Sequence, residues 1–386
     1  MVINDQVVIK SLPATAGDCF IIEFKKEDYR ILVDGGYGDT YYKYLKKDLL
    51  ELASHGKHIN LLIITHIDSD HIGGIQAFLR ENGPSTRPNI IQIDEVWYNA
   101  FPHMYSEEVY KRPIPYTTKE ILRGYLATHS GKLDQRNGQK DISVSQGETV
   151  VKLLLDNGYN WNTMWSGSAV CVKNGVHVQL GEKIQCTLFN PGEKELQGLA
   201  MFWVSKLKST IKKFEVCDDD LYSEAFESYL LDNSDEHETV RKDIAFEDVT
   251  DGQVVDWEKW IDTWSGQVDD SRTNRSSIAF MLEYEKIKML FPGDAPIQLF
   301  QDRLPKEIDI VKLPHHGSEK NISAEFIRDT KVSIYILSTD GKKHGHPSRQ
   351  VIANILYRAA WKSMLLKNYD ISDLKDIGVI MGDEHE

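Results

Sequence analysis

The sequence predicts an α/β fold in which short strands alternate with helices, and three observations support this prediction. Short apolar runs such as "VVIKSL", "CFIIEF" and "RILVD" are typical of strands. The segment "YYKYLKKDLLELASHG" instead has Tyr42, Leu45, Leu49 and Leu52 at helical spacing, with Gly56 as the stop. Side chains of the types that bind metal ions directly follow several of the predicted strands. An arrangement of strand, polar loop and helix places a site at the carboxyl edge of a sheet.

Size and composition place the chain among ordinary globular proteins. Its 386 residues, 41% hydrophobic and 27% charged, form one large domain with insertions, or two domains. The amino-terminal residues do not have the pattern of a signal peptide, and no run approaches the ~18 apolar residues of a membrane span. We therefore expect a soluble, cytoplasmic protein with no membrane association. The cysteines Cys19, Cys171, Cys186 and Cys217 have no C-x-x-C spacing, which favours reduced, buried thiols.

The net charge of −14 restricts the classes of partner. Unaided binding to a nucleic-acid backbone normally requires a basic surface, and this sequence shows no basic run. If the substrate carries phosphates, bound cations must help to attract them.

The elements can be followed in order from the first site motif. The apolar run in "LLIITHIDSDHIGG" predicts a buried strand, and "IGGIQAFLREN" predicts the helix after it. Residues 101–163 look like an inserted, partly helical segment. In "SAVCVKNGVHVQL" we predict two strands around an Asn174-Gly175 turn, and in "KIQCTLFNPG" a third.

A second insertion is predicted at residues 193–268. Its stretch 215–258 holds sixteen acidic residues and two basic residues, which is typical of a solvated helical face or a mobile lid. The spacing of Trp257, Trp260 and Trp264 predicts one packed side of a helix, with an aromatic ligand box as the alternative.

Regular strands return in "SSIAFMLEY", "IKMLFPGD", "DIVKLPHHGS" and "VSIYILSTD", and "PSRQVIANILYRAA" predicts a closing helix. Three of these four strands run into ligand-type residues. The residues are Asp294, the pair His315 and His316, and the pair His344 and His346. This repeated pattern indicates one site assembled from several strand ends.

The block His66-x-Asp68-x-Asp70-His71 is the strongest indication of chemistry. Imidazole and carboxylate together suit divalent metals. One metal could use His66 and Asp68, and a second could use Asp70 and His71, with Asp294 as a shared carboxylate and a histidine of the His315-His316 pair closing the site. Two cations ~3.5 to 4 Å apart polarise a phosphoryl or carbonyl oxygen, activate a water and stabilise the leaving oxygen. The pattern therefore predicts a metal-dependent hydrolase.

A single aspartate or histidine after a strand is usually a cap or a turn residue, and only the combination of several argues for a site. Asp34, in "RILVDGG", leaves two interpretations open. It is either a hydrogen-bond acceptor that orients a ligand loop or an ordinary turn residue.

At this point the motifs carry a resemblance to a known family. The pattern H-x-D-x-D-H-x-G-G resembles the signature of the metallo-β-lactamase superfamily, with aspartate in place of the second histidine. Within that superfamily, "ATAGDCFIIEF", "ILVDGG", "TNRSSIAFML", "MLFPGD", "VKLPHHGS" and "KHGHPS" resemble, in order, the motifs of the nuclease-like domain of ComEC-type DNA-uptake proteins. These motifs cover about half of the chain and leave both insertions unmatched.

The resemblance implies a four-layer αββα sandwich, with residues 1–386 as a single domain that carries insertions at about 101–163 and 193–268. It implies two divalent metal ions, zinc or manganese, at one edge. The implied metal ligands are His66, Asp68, Asp70, His71, Asp294, His315 and His316. The implied catalytic residues are Asp70, His316 and His346, of which His346 would donate a proton or hold a phosphate.

The resemblance also implies substrate-binding roles for Asn274, Ser277 and Ser318. Asn274 and Ser277 stand where β-lactamases and glyoxalases usually carry a further histidine ligand. This departure weakens the case for β-lactamase activity and for a strong first metal site. The chain has no membrane channel, so a role in DNA uptake does not transfer.

Three functions remain open. The first is hydrolysis of phosphodiester bonds in DNA or RNA, for which the acidic composition suggests a narrow channel, a single-stranded substrate or a basic protein partner. The second is hydrolysis of a small phosphodiester, such as a cyclic nucleotide or a phosphocholine ester. The third is a non-catalytic interaction module, which missing ligands would favour, whereas the ligand set here is nearly complete.

Overall fold

Two β-sheets form the centre of the protein. The computed structural model describes residues 2–4, 6–104, 116–129, 149–210, 220–233, 256–359, 361–371 and 374. The first sheet has the order β1 (Val2–Asn4), β2 (Val7–Ser11), β3 (Phe20–Phe24), β4 (Tyr29–Val33), β5 (Ile59–Ile63) and β6 (Ile93–Trp97). The strands β1 to β4 pair antiparallel, whereas β4, β5 and β6 run parallel.

The second sheet is built from the later part of the chain. Its strands are β7 (His177–Gln179), β8 (Ile184–Asn190), β9 (Ala279–Tyr284), β10 (Ile287–Phe291), β11 (Glu307–Lys312), β12 (Lys331–Leu337) and β13 (Met364–Lys367). They lie in the spatial order β13-β12-β11-β10-β9-β8-β7. The strands β7 to β10 pair antiparallel, and β10 to β13 run parallel. Each sheet therefore has an antiparallel part and a parallel part.

Helices connect and cover these strands. The α-helices of the described residues are Gly38–Thr40, Lys46–Ser54, Ser69–Asn82, Tyr116–His129, Val150–Asp156, Glu193–Thr210, Asp220–Asn233, Arg272–Arg275, Ala324–Asp329 and Arg349–Tyr357, with a π-helical turn at Tyr41–Leu45. Short 3₁₀ turns occur at Phe101–Met104, Thr163–Trp165, Glu258–Trp260, Ile297–Leu299, Gln301–Arg303 and Pro314–Gly317.

The two sheets pack face to face, and helices cover both outer faces. Between the sheets, the ring centres of Phe20 and Phe291 lie 5.8 Å apart in one apolar cluster that draws on both sheets. A second cluster joins the outer face of the first sheet to helices through residues such as Phe78. A third joins the outer face of the second sheet to helices through residues such as Phe326 and Val351. The layers are helix, sheet, sheet and helix, which confirms the predicted fold class.

The burial of β5 explains the apolar run at its carboxyl end. Leu61, Leu62 and Ile63 are all fully buried, because one face of the strand meets the second sheet and the other meets helices. Parallel strands covered on both faces have this composition rather than an alternating one. The carboxyl end of β5 therefore leads directly from the core into the ligand block.

Two local predictions in the middle of the chain were wrong. In "SAVCVKNGVHVQL" only His177–Gln179 forms a strand, so the predicted Asn174-Gly175 hairpin is absent. The backbone N–H and C=O of Val170 instead bond to the side chain of Asn99, at 2.9 and 2.8 Å. A side-chain amide thus takes the bonds that a partner strand would have made.

The three tryptophans of the second insertion also differ from the prediction. The helix is only the 3₁₀ turn Glu258–Trp260, so their spacing does not reflect a long helix. Trp257 is buried in the cluster on the outer face of the second sheet, and Trp260 and Trp264 pack against the same cluster. They are core residues of that layer.

The acidic part of the second insertion is described only in part. Its helix Asp220–Asn233 is packed rather than fully solvated, because Tyr222 and Phe226 are buried. The ring of Tyr222 stacks on Phe101, and that of Phe226 packs against Phe101 at a tilt. The rest of 215–258 lies outside the described residues, apart from 256–258. The cysteines Cys19, Cys171 and Cys186 are buried and unbridged, as predicted, and Cys217 lies outside the described residues. No described helix is long and apolar enough to cross a membrane.

One acid of this helix, Glu227, is completely buried. Its carboxylate accepts hydrogen bonds from the backbone of Val150, at the start of the helix Val150–Asp156, and from Gln76 and Tyr98. Burial raises the pKa of Glu227 from 4.5 to about 7, against the lowering effect of these bonds. Glu227 thus ties the second insertion to two helices over the first sheet.

Glu227→Gln is expected to reduce the pH dependence of the free energy of unfolding. The folded state binds a proton at Glu227 that the unfolded chain has lost, so stability falls as the pH rises from about 4.5 through 7. A neutral amide removes this loss, which amounts to at most about 3 kcal/mol. Urea denaturation at pH 5.5 and 8 measures it. Glu51→Gln, on an exposed site, is the control, and equal pH dependence in wild type and Glu227→Gln would contradict the expectation.

Candidate metal centre

Polar residues from both sheets meet at one edge of the sandwich. They follow the carboxyl ends of parallel strands: Asp34 after β4, His66 after β5, Asp294 after β10, and His315 and His316 after β11. The two sheets are joined there by a hydrogen bond of 2.9 Å from the N–H of Ile278 to the carbonyl of Thr65. The edge is therefore a fixed junction, in agreement with the position expected from the strand ends.

The Oδ2 atom of Asp294 lies at the centre of this junction. The Nε2 atoms of four histidines surround it, at 3.3 Å (His71), 3.7 Å (His316), 3.8 Å (His66) and 4.0 Å (His315). The Asp294 side chain is 3% exposed. Histidine nitrogens from two separate parts of the sequence thus face a single buried carboxylate oxygen.

All four imidazoles have their other nitrogen occupied, and that of His315 lies 3.2 Å from the side-chain oxygen of Asn321. The Nδ1 of His71 donates to Asp34 (2.9 Å), that of His316 donates to the carbonyl of Ser338 (2.8 Å), and that of His66 bonds to the hydroxyl of Thr65 (3.1 Å). Since Thr65 gives its hydroxyl hydrogen to Asp34, His66 is the donor in the last bond. In the neutral rings, Nε2 then carries the lone pair.

The Nε2 atoms of these histidines show whether the site suits a metal ion. Within the described part of the chain, the Nε2 atoms of His66, His71 and His316 are buried and have no hydrogen-bond partner. Buried polar atoms without a partner are uncommon and require an explanation. Lone pairs of three imidazoles that face one carboxylate oxygen are repulsive unless positive charge, from protons on the rings or from a metal ion, lies between nitrogen and oxygen. The donor set therefore fits divalent metal ions.

The carboxylates of the ligand block divide the site into two groups. Asp68 Oδ2 lies 3.6 Å from His66 Nε2, whereas Asp70 Oδ2 lies 3.3 Å from His316 Nε2 and 3.8 Å from His71 Nε2. One group is His66, Asp68 and Asp294, and the other is Asp70, His71, His316 and Asp294. Two ions that share Asp294 could be held in this arrangement.

Close backbone packing shapes the ligand loop. Asp68 is the N-cap of the helix Ser69–Asn82, so Asp70 and His71 lie in its first turn. A Cβ atom at Gly74 would lie 1.9 Å from the carbonyl oxygen of Gly35, and one at Gly17 would lie 2.0 Å from that of Asp70. Only glycine permits these approaches. The second glycine of the pair after the ligand block therefore serves the packing of the loop.

Asp34 orients the ligands rather than facing the central oxygen. Its carboxylate accepts from the Thr65 N–H (2.7 Å), the Thr65 hydroxyl (2.7 Å) and His71 Nδ1 (2.9 Å). A carboxylate behind a ligating imidazole fixes its tautomer and its orientation. Of the two interpretations left open by the sequence, the structure shows the hydrogen-bonded one, at a residue whose φ is +55°.

A second carboxylate, Asp269, supports His315 and was missed by the sequence reasoning. Its Oδ2 lies 3.4 Å from His315 Nδ1 and accepts from the amides of Asn274 (2.7 Å) and Asn321 (2.9 Å). Although burial raises the pKa of Asp269, the hydrogen bond from His315 holds it well below its usual range. No local pattern marks Asp269, because the histidine that it supports lies on a distant loop.

The three predicted substrate-binding residues have protein partners. Ser277 is fully buried, and its hydroxyl accepts from the N–H of Asp294 (3.3 Å), a contact that helps to position Asp294. Asn274 is 5% exposed and holds Asp269. Ser318 is 3% exposed, and its hydroxyl accepts from the N–H of Lys320. Contacts of Asn274, Ser277 and Ser318 with a substrate stay predictions.

His346 lies beside the candidate ligands. Its ring centre is 4.8 Å from that of His315 and 6.5 Å from that of His344. Burial, reinforced by the neighbouring His315 and His316, lowers the pKa of His346 well below its usual value. His346 is therefore a neutral imidazole next to the centre, within reach of a group bound there.

The charges of the central carboxylates follow from their neighbours. Burial raises the pKa values of Asp70 and Asp294, but the nearby His71 and His316 outweigh it and hold both values below their usual range. Both groups are ionised, which is the form that binds a metal ion. Asp18 and Lys312 also reach this cluster and were not singled out from the sequence.

Comparison with known families agrees with the geometry. Residues 12–144 match the family model described as the Metallo-beta-lactamase superfamily, whose members are mostly metal-dependent hydrolases. The matched segment carries the ligand block from His66 to His71, whereas Asp294 and the His315-His316 pair lie beyond it and reach the site through the fold. The comparison with curated proteins gave no match.

Proposed function

We propose that the protein is a metal-dependent phosphodiesterase that cleaves DNA or RNA. The observation that carries this proposal is the convergence of buried, unpartnered imidazole nitrogens on Asp294 Oδ2, with the carboxylates of Asp68 and Asp70 beside them. Carboxylate oxygens make up a large share of this donor set. Oxygen-rich sites favour hard cations, which suit phosphoryl transfer.

The residues of the chain have separate tasks in this reaction. His66, Asp68, Asp70, His71, Asp294 and His316, with His315 at the rim, would hold the two metal ions. When bound, the ions would polarise the phosphoryl oxygen and activate a water molecule. Asp34 and Asp269 keep two of the imidazoles in orientation. His346 would hydrogen-bond a phosphate oxygen or the leaving oxygen.

A short basic loop beside the site supports a phosphate-bearing substrate. Lys342, Lys343 and His344 are exposed, and they lie between β12 and the helix Arg349–Tyr357. The Nζ of Lys343 lies 4.6 Å from the ring centre of Tyr37, in the loop that follows Asp34, so the loop spans from one sheet to the other. In a chain of net charge −14, this placement provides local attraction for phosphates.

The second candidate is hydrolysis of a small phosphodiester. The net charge of −14 favours it, because repulsion grows with each phosphate of a long polyanion. The two candidates differ in how the basic loop acts, since a loop that contacts flanking phosphates matters only for a substrate that has them.

The test compares substrates and loop variants. We expect the metal-loaded protein to hydrolyse single-stranded DNA or RNA faster than cyclic nucleotides or bis(p-nitrophenyl) phosphate. The double substitution Lys342→Gln and Lys343→Gln should weaken the dependence of log kcat/KM on log salt by about 1 to 2 for the oligonucleotide, and leave the small ester unaffected.

The matched control is the exposed pair Lys25 and Lys26, replaced by Gln. This pair lies in the turn between β3 and β4, at the opposite end of these strands from Asp34, and should not change the salt dependence. Faster turnover of small esters than of any oligonucleotide would favour the second candidate. Absence of hydrolysis across the panel, with metal bound, would overturn both.

A further inference from the structure

A buried ion pair lies behind the candidate metal centre. Lys312, the last residue of β11, and Asp18, just before β3, are both almost fully buried, and the Lys312 ammonium contacts the Oδ2 of Asp18 directly. Lys312 also donates to the carbonyl of Gly293 at 3.2 Å and lies 3.5 Å from Asp294 Oδ1. A buried ammonium needs such partners, since an unpaired one is costly.

The two oxygens of Asp294 therefore have different surroundings. Oδ2 faces the histidine Nε2 atoms at 3.3 to 4.0 Å, whereas Oδ1 faces the ammonium of Lys312. The carboxylate cannot rotate without losing the contact on the Lys312 side. This contact holds Oδ2 toward the two ligand groups.

Asp18 connects the same ammonium to a second ligand. Its other oxygen, Oδ1, is buried, lies 3.6 Å from His316 Nδ1, and has no hydrogen-bond partner among the described residues. Its Oδ2 lies 4.0 Å from His71 Nδ1. Asp18 thus stands behind two imidazoles while it fixes the position of Lys312.

We propose that Lys312, held by Asp18, is a positioning residue that aims Oδ2 of Asp294 at both metal sites. The pair keeps the shared carboxylate in one orientation and balances part of the negative charge of the centre. This inference rests on the proposed metal centre. It concerns the orientation of the ligands in that centre rather than the identity of the substrate. Groups behind metal ligands typically change metal affinity about 10- to 100-fold when removed.

Lys312→Met tests the proposal with a side chain of similar length that cannot donate. Titration of the metal-free protein with Mn²⁺ alone, followed by calorimetry, should show the Kd of the variant raised about tenfold or more. The exchange-coupled EPR signal of a manganese pair, expected in the wild type, should be weakened or lost. Lys312→Arg, which keeps a positive donor, should recover part of both.

Lys367→Met is the matched control. Lys367 is a buried lysine at the end of β13, a parallel strand of the same sheet that β12 separates from β11. Its ion-pair partner is Asp370, at 3.4 Å. Its loss is expected to lower the melting temperature and to leave the Mn²⁺ affinity unchanged. A purely structural role of Lys312 would give the same result as this control.

The outcomes separate the inference from the proposed function. A folded Lys312→Met protein with the wild-type Mn²⁺ affinity and EPR signal overturns the inference about Lys312. It does not contradict the proposed metal centre. Wild-type protein that binds no Mn²⁺, Zn²⁺ or Mg²⁺ overturns the metal centre and the inference with it. If Lys312→Met does not fold, Asp18→Asn decides: a raised Kd supports the proposal, and an unchanged Kd refutes it.

Discussion

Asp294→Ala is expected to lower kcat/KM by about a thousandfold or more while the fold persists. The Oδ2 atom of Asp294 is surrounded by the Nε2 atoms of four histidines and belongs to both ligand groups, so its loss separates or empties both metal sites. Removal of a group on which both sites depend affects the chemical step rather than substrate binding alone. Steady-state kinetics on the best substrate, with metal content measured in parallel, gives the effect.

The fold of this variant must be checked independently. Asp294 is buried beside Lys312, so circular dichroism and a melting curve should accompany the kinetics. Asp302→Ala is the control, because Asp302 is an exposed aspartate in the 3₁₀ turn Gln301–Arg303, between β10 and β11. This variant should leave activity unchanged. Near-normal turnover by folded Asp294→Ala would refute a mechanism that depends on a shared carboxylate.

The central part of the site could be predicted because its residues stand at strand ends. His66 to His71 follow the apolar run at the end of β5, and Asp294 and His316 come shortly after the ends of β10 and β11. A strand buried on both faces is evident from the sequence, and the residues after it must lie at the edge of its sheet. The pattern of apolar strands followed by polar residues thus predicted both the fold class and the residues around Asp294 Oδ2.

The supporting residues could not be predicted in this way. Asp18, Asp269 and Lys312 have no local pattern, since each acts through partners that are distant in sequence. Asp18, for example, meets Lys312 only because β3 and β11 belong to sheets that pack face to face. For the same reason, only the fold shows that Ser277 is buried and that its hydroxyl accepts from the N–H of Asp294.

The failed hairpin shows tertiary contacts overriding a local signal. An Asn-Gly pair between apolar runs strongly predicts a turn. It does not determine which groups will form hydrogen bonds with the flanking backbone. Here Asn99, more than seventy positions earlier, supplies both hydrogen bonds to Val170. Such long-range side-chain contacts are set by the packing of the whole fold.

Metal preference is expected to follow from Asp68, where the ligand block departs from the commoner second histidine. Asp68 Oδ2 lies 3.6 Å from His66 Nε2 and accepts from the hydroxyl of Thr273 at 3.1 Å, so the carboxylate is held facing the first ligand group. An anionic oxygen in place of a neutral nitrogen shifts a site from zinc toward manganese or magnesium. We therefore expect Mn²⁺ to restore activity to the metal-free protein about tenfold better than Zn²⁺.

Asp68→His should move this preference back toward zinc. Since zinc binds most nitrogen and oxygen sites more tightly than manganese, the metal found after purification is a poor guide, and turnover with each defined metal is the proper measurement. Competition binding of Mn²⁺ and Zn²⁺ gives a second readout that does not depend on activity. Asp39→His, at an exposed carboxylate in an ion pair with Lys43, is the control and should change neither. If zinc alone restores full activity to the wild type and manganese restores none, the oxygen of Asp68 does not set the preference, and Asp68 acts by orienting His66 instead.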